Sequence, residues 1–279
     1  MVLRYVLLLT LLVPLMSTSG AIETFVNDHD HYAHQDAHII LRYFRSRGRA
    51  ESIRLILEYL QVPYEEIRYT STADGPDATW PAAKKAGIES GLFPFGQLPS
   101  LSFCPDGNKT SDDCFHLVQS HSIMRFLDRW YGTYGTEDKK WLVDVITGGV
   151  EDFYKKYTTL VYDKEAEAKK EAYFATVVPL WIGHFERLKT AHSKDDVFMT
   201  GSTATHADFF LYYVLDVHMR LNPECLDSFP QMKLFTEVVE AIPAIQRYIH
   251  SSRRAKTPNG NSAFLDNPKN PAVVEETEL

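Results

Sequence analysis

Two short stretches of the sequence carry groups that could bind a small peptide. In the first, Leu98 precedes Pro99 at the entry to a predicted strand, and a proline at that place is a candidate for a cis bond. A cis bond would turn the amide and carbonyl of Leu98 outward, where an extended ligand could pair with them. In the second, Gln119 and Ser120 join a strand pattern to a helical pattern, which exposes a hydroxyl and the first-turn amides to an anion. An open backbone edge beside this anion site suits a small peptide with a free carboxylate.

These stretches belong to an ordered set of motifs that resembles the glutathione site of the cytosolic-type glutathione S-transferases. Each motif is weak alone, and the order and spacing of the set, from about Ile39 to about Asn261, make it specific. The later motifs resemble the pi class in particular. The motifs are Tyr43-Phe44-Arg45-Ser46-Arg47-Gly48-Arg49, Gln97-Leu98-Pro99, Gln119-Ser120, Val150-Glu151-Asp152 followed by Tyr157 and Tyr162, and Cys225-Leu226-Asp227-Ser228-Phe229-Pro230.

The resemblance implies an enzyme that conjugates the thiolate of glutathione to hydrophobic electrophiles. The free thiol has a pKa of about 8.5, so an enzyme must favour the thiolate, and a tyrosine hydroxyl that donates a hydrogen bond to the sulfur does so. Tyr43, at the end of the first predicted strand, matches the family's catalytic tyrosine. Tyr69 is a nearby rival, but it lies outside the motif. We therefore predict that Tyr43 is the catalytic residue.

The resemblance also assigns ligands to the γ-glutamyl end of glutathione. Gln119 and Ser120 hold its carboxylate and amine, and the helix start stabilises the anion. Arg49 orders the same end, and an Asp152 carboxylate from the partner subunit reaches the amine. The full predicted glutathione-binding set is Phe44, Arg49, Trp80, Lys84, Lys85, Gln97, Leu98, Pro99, Gln119, Ser120 and Asp152.

At the other two units of glutathione, the resemblance assigns backbone and basic groups. The backbone of Leu98 pairs with the cysteinyl unit, and Gln97 assists. Trp80 and a following lysine hold the glycine carboxylate. The spacing between them departs from the family pattern, so Lys84 and Lys85 both remain candidates.

Phe44, Arg45 and Tyr162 are predicted, again by resemblance, to line the apolar pocket for the electrophile. Many pi-class members have proline where this chain has Arg45, so its acceptor preference is expected to differ. The sequence does not name the natural electrophile.

Two other functions stay open. One is a glutathione-dependent isomerase of the prostaglandin type, which the family also contains. The other is a carrier of haem, bile-acid-like or other apolar ligands with a vestigial site. The combined presence of the catalytic tyrosine and the glutathione ligands favours the transferase. We expect no cofactor apart from glutathione as co-substrate.

The elements that must position these residues follow from hydrophobic periodicity and turn residues. Strand, helix and strand come first, with Pro63 ending the helix, and a hairpin and a second amphipathic helix follow. This βαβ-ββα order predicts a thioredoxin-like domain over 39–130, without the Cys-x-x-Cys of disulfide exchange. The predicted elements are strands at 39–44, 64–69, 98–104 and 114–120, and helices that include Ile53 to Leu60 and Ile123 to Trp130.

An all-α domain is predicted over 139–257, after a glycine-containing linker at 131–138. Thr205 and Asp208 match a capping box ahead of a long apolar run, a structural rather than catalytic motif. A disordered tail is predicted over 258–279. The predicted helices lie near 139–162, 165–190, 206–221, 229–241 and 243–252.

The N-terminal residues and the net charge of the chain indicate where the protein is located and which partners it is not expected to bind. Residues 1–21 have a basic start, a short apolar core and a small-residue cleavage signal, which predicts a secretory signal peptide rather than an anchor helix. Residues 22–38 hold four histidines without a cysteine or paired carboxylate, so we predict a flexible extension and no metal site. The net charge of −8 disfavours nucleic acid and anionic membranes, and we expect no membrane span in the mature protein.

Secretion would permit two covalent features near the predicted hairpin. Asn108 begins the only Asn-x-Ser/Thr sequon, after a turn-forming Pro-Asp-Gly, so it is a candidate glycan site. Cys104 ends one predicted strand and Cys114 begins the next, so the two could form a disulfide across the hairpin. The alternative is two free thiols, and Cys225 is expected to be reduced.

A homodimer is implied by the resemblance. Phe95, just before the Gly96 turn, matches an aromatic side chain that enters an apolar pocket on the partner's helical domain. The alternative is a phenylalanine packed within its own domain.

Overall fold

The computed structural model describes residues 37–70, 80–109, 112–260 and 262–266. The predicted signal peptide and nearly all of the predicted extension lie outside these ranges.

A four-stranded mixed sheet forms the centre of the N-terminal domain. Its order is β2-β1-β3-β4, with β1 parallel to β2 and the other neighbours antiparallel. Along β1, Ile39 and Leu41 are fully buried against helices, which is the alternation expected of a strand with two different faces. The βαβ-ββα prediction is confirmed. The strands are β1 His38–Phe44, β2 Glu65–Tyr69, β3 Ser100–Cys104 and β4 Phe115–Val118.

Three α-helices accompany the sheet among the described residues. α1 packs its apolar residues, including Ile53 and Ile56, into the core. α2 was not predicted, because Gly87 is its only buried residue and its sequence therefore has no strong apolar stripe. The helices are α1 Glu51–Tyr59, α2 Trp80–Glu89 and α3 Ser120–Trp130, and a short 3₁₀ turn, Gly48–Ala50, precedes α1.

The C-terminal domain is helical, as predicted. Its central helix, α7, is buried along most of its length and begins at the predicted capping box, where the Asp208 carboxylate accepts from the Thr205 amide at 2.8 Å. The single helix predicted over 165–190 is interrupted by a π-helical turn, Tyr173–Val177. The helices are α4 Lys140–Val161, α5 Ala166–Ala172, α6 Val178–His192, α7 His206–Leu221, α8 Pro230–Ala241 and α9 Pro243–Ile249, with a 3₁₀ turn at Pro223–Leu226.

A buried charge network fixes the turn after β1 against the helical domain. The side chains of Glu51 and Arg54 are fully buried and form an ion pair of 3.1 Å. Arg54 also donates to the carbonyls of Ser46 and Arg47, each at 3.1 Å. From the C-terminal domain, Arg254 donates to the Glu51 carboxylate at 2.8 Å. Because buried charges are costly unless they are paired, this network ties the turn and both domains into one arrangement.

The tail predicted from residue 258 is instead packed as far as Asp266. The amide of Arg47 donates to the carbonyl of Thr257 at 3.0 Å. The amide of Gly48 donates to the carbonyl of Pro258, which is buried, at 3.0 Å. The proline-rich composition indicated disorder, but these tertiary hydrogen bonds hold the segment on the turn after β1. The rest of the predicted tail lies outside the described residues.

The predicted disulfide between Cys104 and Cys114 is confirmed. The β3–β4 register pairs Phe103 with Phe115, so the cysteines form the next opposed pair, with a Cα–Cα distance of 4.2 Å. Cys225 is a free thiol, as expected.

Within the described ranges, no helix combines the length and apolarity needed to cross a membrane.

Candidate functional site

A pocket of about 420 Å³ opens where the entry to β3, the start of α3 and the middle of α4 meet. Its wall is mostly polar and carries both signs of charge. Six of its residues were predicted from the sequence, and His121 and Glu151 were not. The lining residues are Arg49, Gln97, Leu98, Pro99, Gln119, Ser120, His121 and Glu151.

The entry to β3 gives the pocket an open backbone edge. The Leu98–Pro99 peptide bond is cis, as the sequence suggested. Among the described residues, no backbone group pairs with the amide or carbonyl of Leu98. Ser100, which follows Pro99, donates its hydroxyl to the Leu92 carbonyl at 3.1 Å, which anchors the strand entry. An extended ligand can therefore pair with Leu98.

The corner between β4 and α3 forms the second wall. Gln119 has φ of 70° and ψ of 111°, a sparsely populated conformation for a residue other than glycine. Such conformations persist where surrounding structure enforces them, often at functional sites. Ser120 follows as the first residue of α3 and is buried at the pocket. The corner thus brings a hydroxyl and helix-start amides to the pocket, an arrangement that binds carboxylates.

Arg49 and Glu151 form an ion pair in the pocket wall. The guanidinium donates to both carboxylate oxygens, at 2.8 and 3.0 Å, and lies 5.3 Å from the centre of the Tyr154 ring. His121 Nε2 lies 3.2 Å from Glu151, outside hydrogen-bond alignment. Partial burial opposes ionisation of Glu151, but His121 and Arg49 outweigh it and lower the pKa of Glu151 to about 2. The pocket therefore offers a fixed anion beside a fixed cation.

Glu151, and not its neighbour Asp152, faces this pocket. Successive residues of an α-helix point about 100° apart, so the two carboxylates cannot share one direction. Asp152 is exposed and does not line the cavity. The sequence signal for Glu151 was its place three residues before the buried Tyr154, on the inner side of α4. A role for Asp152 at a partner's site stays a prediction.

Tyr43 lies near the end of β1 and does not itself line the pocket, but its hydroxyl contacts the lining residue Arg49. Its buried hydroxyl accepts from the Arg49 amide at 3.0 Å. Burial raises the pKa of Tyr43, although that amide acts against the rise. The phenol therefore keeps its proton at neutral pH and can still donate it. Gly48, at φ of +43°, permits this geometry, since a Cβ there would lie 2.4 Å from the Tyr43 oxygen.

Trp80 and the two candidate lysines lie on α2. The Trp80 ring packs 5.9 Å from the ring of Phe44 and 5.1 Å from that of Phe93. Both lysines are exposed, and the Lys84 stem lies 2.8 Å from the position of a Cβ on Gly96. Lys84 therefore reaches the turn that precedes Gln97, which favours it over its neighbour as a ligand of the glycine carboxylate.

The residues predicted for the electrophile lie beyond Tyr43, near the C-terminal segment. Phe44 is half-buried, with its ring 5.5 Å from that of Tyr43. Arg45 is exposed, and the Tyr162 hydroxyl accepts from the Gly260 amide at 3.0 Å. None of the three lines the pocket described above. The C-terminal segment therefore packs beside Arg45 and Tyr162, a contact that the sequence did not indicate.

Other predicted features are found outside the pocket. Phe95 is 66% exposed, and Asn108 is exposed in the loop between β3 and β4. Tyr69 lies on the opposite face of the sheet from Tyr43, which removes it from the reacting end of the pocket. No cluster of potential metal ligands occurs in the part of the chain that the structure describes.

Comparison with known proteins adds a family match and several relatives. A family model described as "Glutathione S-transferase, C-terminal domain" matches residues 151–252. Glutathione S-transferase 2 of Onchocerca volvulus is 33% identical over 223 residues, covering 79% of this chain and 97% of the relative. Glutathione S-transferase P 1 of Bufo bufo is 31% identical, covering 78% and 95%. Glutathione S-transferase Mu 4 of Rattus norvegicus is 32% identical, covering 78% and 93%.

Among solved structures, the pi-class glutathione S-transferase of Onchocerca volvulus is similar to this chain. The TM-score is 0.68 at 32% sequence identity, with 81% of this chain and 99% of that chain covered. The sequence relatives include both pi-class and mu-class proteins.

Proposed function

The chain belongs to the glutathione S-transferase family, and we propose that it conjugates the thiolate of glutathione to hydrophobic electrophiles outside the cell. The observation that carries the proposal is the pocket itself. An open backbone edge at Leu98, a helix start at Ser120 and the Arg49–Glu151 pair match a cysteinyl unit flanked by a zwitterionic γ-glutamyl end.

In this mechanism Tyr43 donates a hydrogen bond to the glutathione sulfur. The sulfur loses its proton to solvent, and the hydroxyl hydrogen bond favours the resulting thiolate. The thiolate attacks the electrophilic carbon, a C–S bond forms, and the leaving group departs with the electron pair of its broken bond. The Arg49 amide holds the Tyr43 oxygen in place by the 3.0 Å hydrogen bond, so the hydroxyl hydrogen is available to the sulfur.

The ends of the peptide are held by matched charges. At the γ-glutamyl end, Ser120 and the start of α3 bind the carboxylate, and Glu151 attracts the ammonium. At the glycine end, Trp80 and Lys84 bind the second carboxylate. Two charged anchors orient the sulfur toward the tyrosine, which supplies proximity as well as affinity.

The electrophile would enter beside Phe44, along the edge formed by the turn after β1 and the C-terminal segment that is hydrogen-bonded to it. Arg45 and Tyr162 lie on that edge. A basic side chain at this edge would favour electrophiles that carry an anionic or strongly polar group as well as an apolar body.

Secretion is the second part of the proposal. Residues 1–21 form the predicted signal peptide, the Cys104–Cys114 disulfide suits an oxidising compartment, and exposed Asn108 is the proposed glycan site. Mass spectrometry of the protein from a secreting cell should find an N-terminus near residue 22 and a glycosidase-sensitive mass on the Asn108 peptide. Recovery from the cytosol alone, with an uncleaved terminus, would reject secretion.

Turnover of a chloronitrobenzene with glutathione tests the transferase directly. A transferase releases chloride and forms the coloured thioether at a rate that saturates with glutathione. A carrier of apolar ligands would bind them without turnover. A dedicated isomerase would convert a prostaglandin endoperoxide and leave the chloronitrobenzene almost untouched.

A further inference from the structure

The face of the sheet opposite α1 and α3, here called the outer face, carries a polar cluster that the proposed function does not use. Arg42 on β1 points to this face and is 9% exposed, while its neighbours Leu41 and Tyr43 point to the helices. The β3–β4 register places His116 directly opposite Ser102 on the same face. None of the three cluster residues lines the glutathione pocket.

The cluster can direct donors outward from both Arg42 and His116. Arg42 Nη1 donates to Ser102 Oγ at 2.6 Å, and that oxygen lies 2.8 Å from His116 Nδ1. With the Ser102 hydroxyl hydrogen donated to Nδ1, the imidazole proton lies on Nε2, and this is the tautomer that an anion site requires. His116 is exposed, so this Nε2–H reaches solvent beside the guanidinium.

The charge of Arg42 has no carboxylate partner within the described ranges. Glu65 is the acidic residue that β2 contributes to the outer face, and it is paired with Lys109. Burial lowers the pKa of Arg42, which reflects the cost of holding this cation away from water. A largely buried cation whose partners, the Ser102 and Tyr69 hydroxyls, are both neutral is unfavourable unless an anion completes the site.

We propose that Arg42, Ser102 and His116 form a binding site for a phosphate or sulfate group, either free or as an ester. A tetrahedral oxyanion supplies acceptor oxygens to a guanidinium and an imidazole N–H at once, and Arg binds such groups through two parallel hydrogen bonds. Ser102 fixes the positions of both donors and does not itself need to contact the anion. The site is separate from the conjugation pocket, so its occupancy does not depend on glutathione.

Nuclear magnetic resonance of the His116 ring in the whole mature protein tests the site. Sodium sulfate and sodium phosphate are titrated separately against sodium chloride at matched ionic strength, with His250 as an exposed internal reference. The His116 signals should shift saturably with sulfate or phosphate and not with chloride, and the His250 signal should not saturate. A sugar sulfate and a sugar phosphate then distinguish ester ligands from free anions. Equal shifts at both histidines, or no saturable shift at His116, would overturn the proposal.

Variants separate the cluster from general surface charge. Sulfate or phosphate binding, measured by calorimetry, should weaken about tenfold in His116→Gln and more in Arg42→Gln, since each removes a donor to a charged group. Arg247→Gln removes an exposed arginine elsewhere and should bind as the wild type does. If Arg42→Gln does not fold, the affinity of His116→Gln for sulfate and phosphate still tests the site, because His116 is exposed. Wild-type affinity in His116→Gln, or equal losses in Arg247→Gln, would refute the site.

Discussion

At the scale of single residues, the pocket is organised by a pair of opposite charges. The γ-glutamyl end of glutathione carries an ammonium and a carboxylate, and the pocket wall carries Glu151 and Arg49 in bidentate contact. A carboxylate has lone pairs beyond those that a bidentate arginine uses, so Glu151 can accept from the ammonium while it holds Arg49. We infer that this pair would select a ligand with a free amino acid end.

Glu151→Gln should raise the KM for glutathione about tenfold or more, because it removes the charge that meets the ammonium. Asp152→Asn is the matched variant, with the same loss of charge one residue away. We expect Glu151→Gln to raise the KM for glutathione more than Asp152→Asn does. For a glutathione analogue that lacks the amino group, Glu151→Gln should raise the KM less than it does for glutathione. A larger loss in Asp152→Asn would assign the role to the partner's carboxylate instead.

His218 lies in the core of the helical domain and should make the stability of the protein depend on pH. Its ring stacks 4.2 Å from that of Phe153, and its nitrogens lie 2.6 Å from the Val214 carbonyl and 2.9 Å from the Tyr173 hydroxyl. Burial lowers the pKa of His218 to about 4, although the Val214 carbonyl acts against the shift.

Between pH 6.5 and about 4 the unfolded chain protonates this histidine and the folded chain does not. The free energy of unfolding is therefore not reduced by His218 above pH 6.5. As the pH falls from 6.5 to about 4 it decreases by roughly 3 kcal/mol, because only the unfolded chain takes up the proton. Denaturant unfolding across this pH range should show that the free energy of unfolding depends less on pH in His218→Gln than in wild type. The exposed His250→Gln is the control and should behave as wild type does. Equal slopes for wild type and His218→Gln would contradict the assignment.

At the scale of elements, the turn between β1 and α1 sets the position of the Tyr43 hydroxyl, which we propose as the catalytic group. Gly48 has φ of +43°, and a Cβ there would approach the Tyr43 oxygen to 2.4 Å. The same turn is bonded through its amides to the carbonyls of Thr257 and Pro258. The turn cannot move away from Tyr43 without breaking these hydrogen bonds, so a side chain at Gly48 must displace the tyrosine.

Gly48→Ala should therefore lower kcat at least tenfold while the protein stays folded. Gly91→Ala is the matched control, because Gly91 has φ of +78° but a Cβ there meets nothing within 4 Å. Both variants carry the backbone cost of a left-handed alanine, about 1 kcal/mol, and only Gly48→Ala should affect turnover. Equal turnover in the two variants would show that the contact with Tyr43 is not needed.

Local signals were sufficient to predict most elements, and together with the family resemblance they predicted six of the eight residues that line the pocket. The strand alternation around Leu41, the cis Leu98–Pro99 bond and the Thr205–Asp208 cap were recognisable from local chemistry. α2 was missed because it buries little, and Glu151 was missed because its role depends on long-range pairing with Arg49. Packing of the C-terminal segment was likewise set by tertiary hydrogen bonds, which composition does not encode.

At the scale of the whole molecule, one exposed aromatic residue points to a second subunit. Phe95 is 66% exposed beside the Gly96 turn, far more than an aromatic side chain in a monomer's core. We propose that it enters an apolar pocket of the partner, so that a two-fold dimer buries two such contacts. Burial of a phenylalanine side chain contributes about 1.5–3 kcal/mol, so loss of this one contact should measurably weaken dimerisation.

Phe95→Ala should weaken the dimer at least tenfold by analytical ultracentrifugation, because each dimer loses two buried side chains. Leu234→Ala, which truncates another large apolar side chain that is 51% exposed, on α8, should leave the association unchanged. A monomeric wild type at micromolar concentration would reject the dimer. Equal weakening by both variants would remove Phe95 as its anchor.

The proposed function depends above all on stabilisation of the glutathione thiolate by Tyr43. The most direct measurement is the pKa of that thiol, followed by thiolate absorbance in wild type and in Tyr43→Phe, together with turnover of a chloronitrobenzene. In wild type the thiol pKa should fall about two units below its free value of about 8.5, to near 6.5. In Tyr43→Phe glutathione should still bind, the thiol pKa should return to about 8.5, and turnover near pH 6.5 should drop roughly 10²–10³-fold. An unchanged thiol pKa with nearly full turnover in Tyr43→Phe would show that Tyr43 does not stabilise the thiolate.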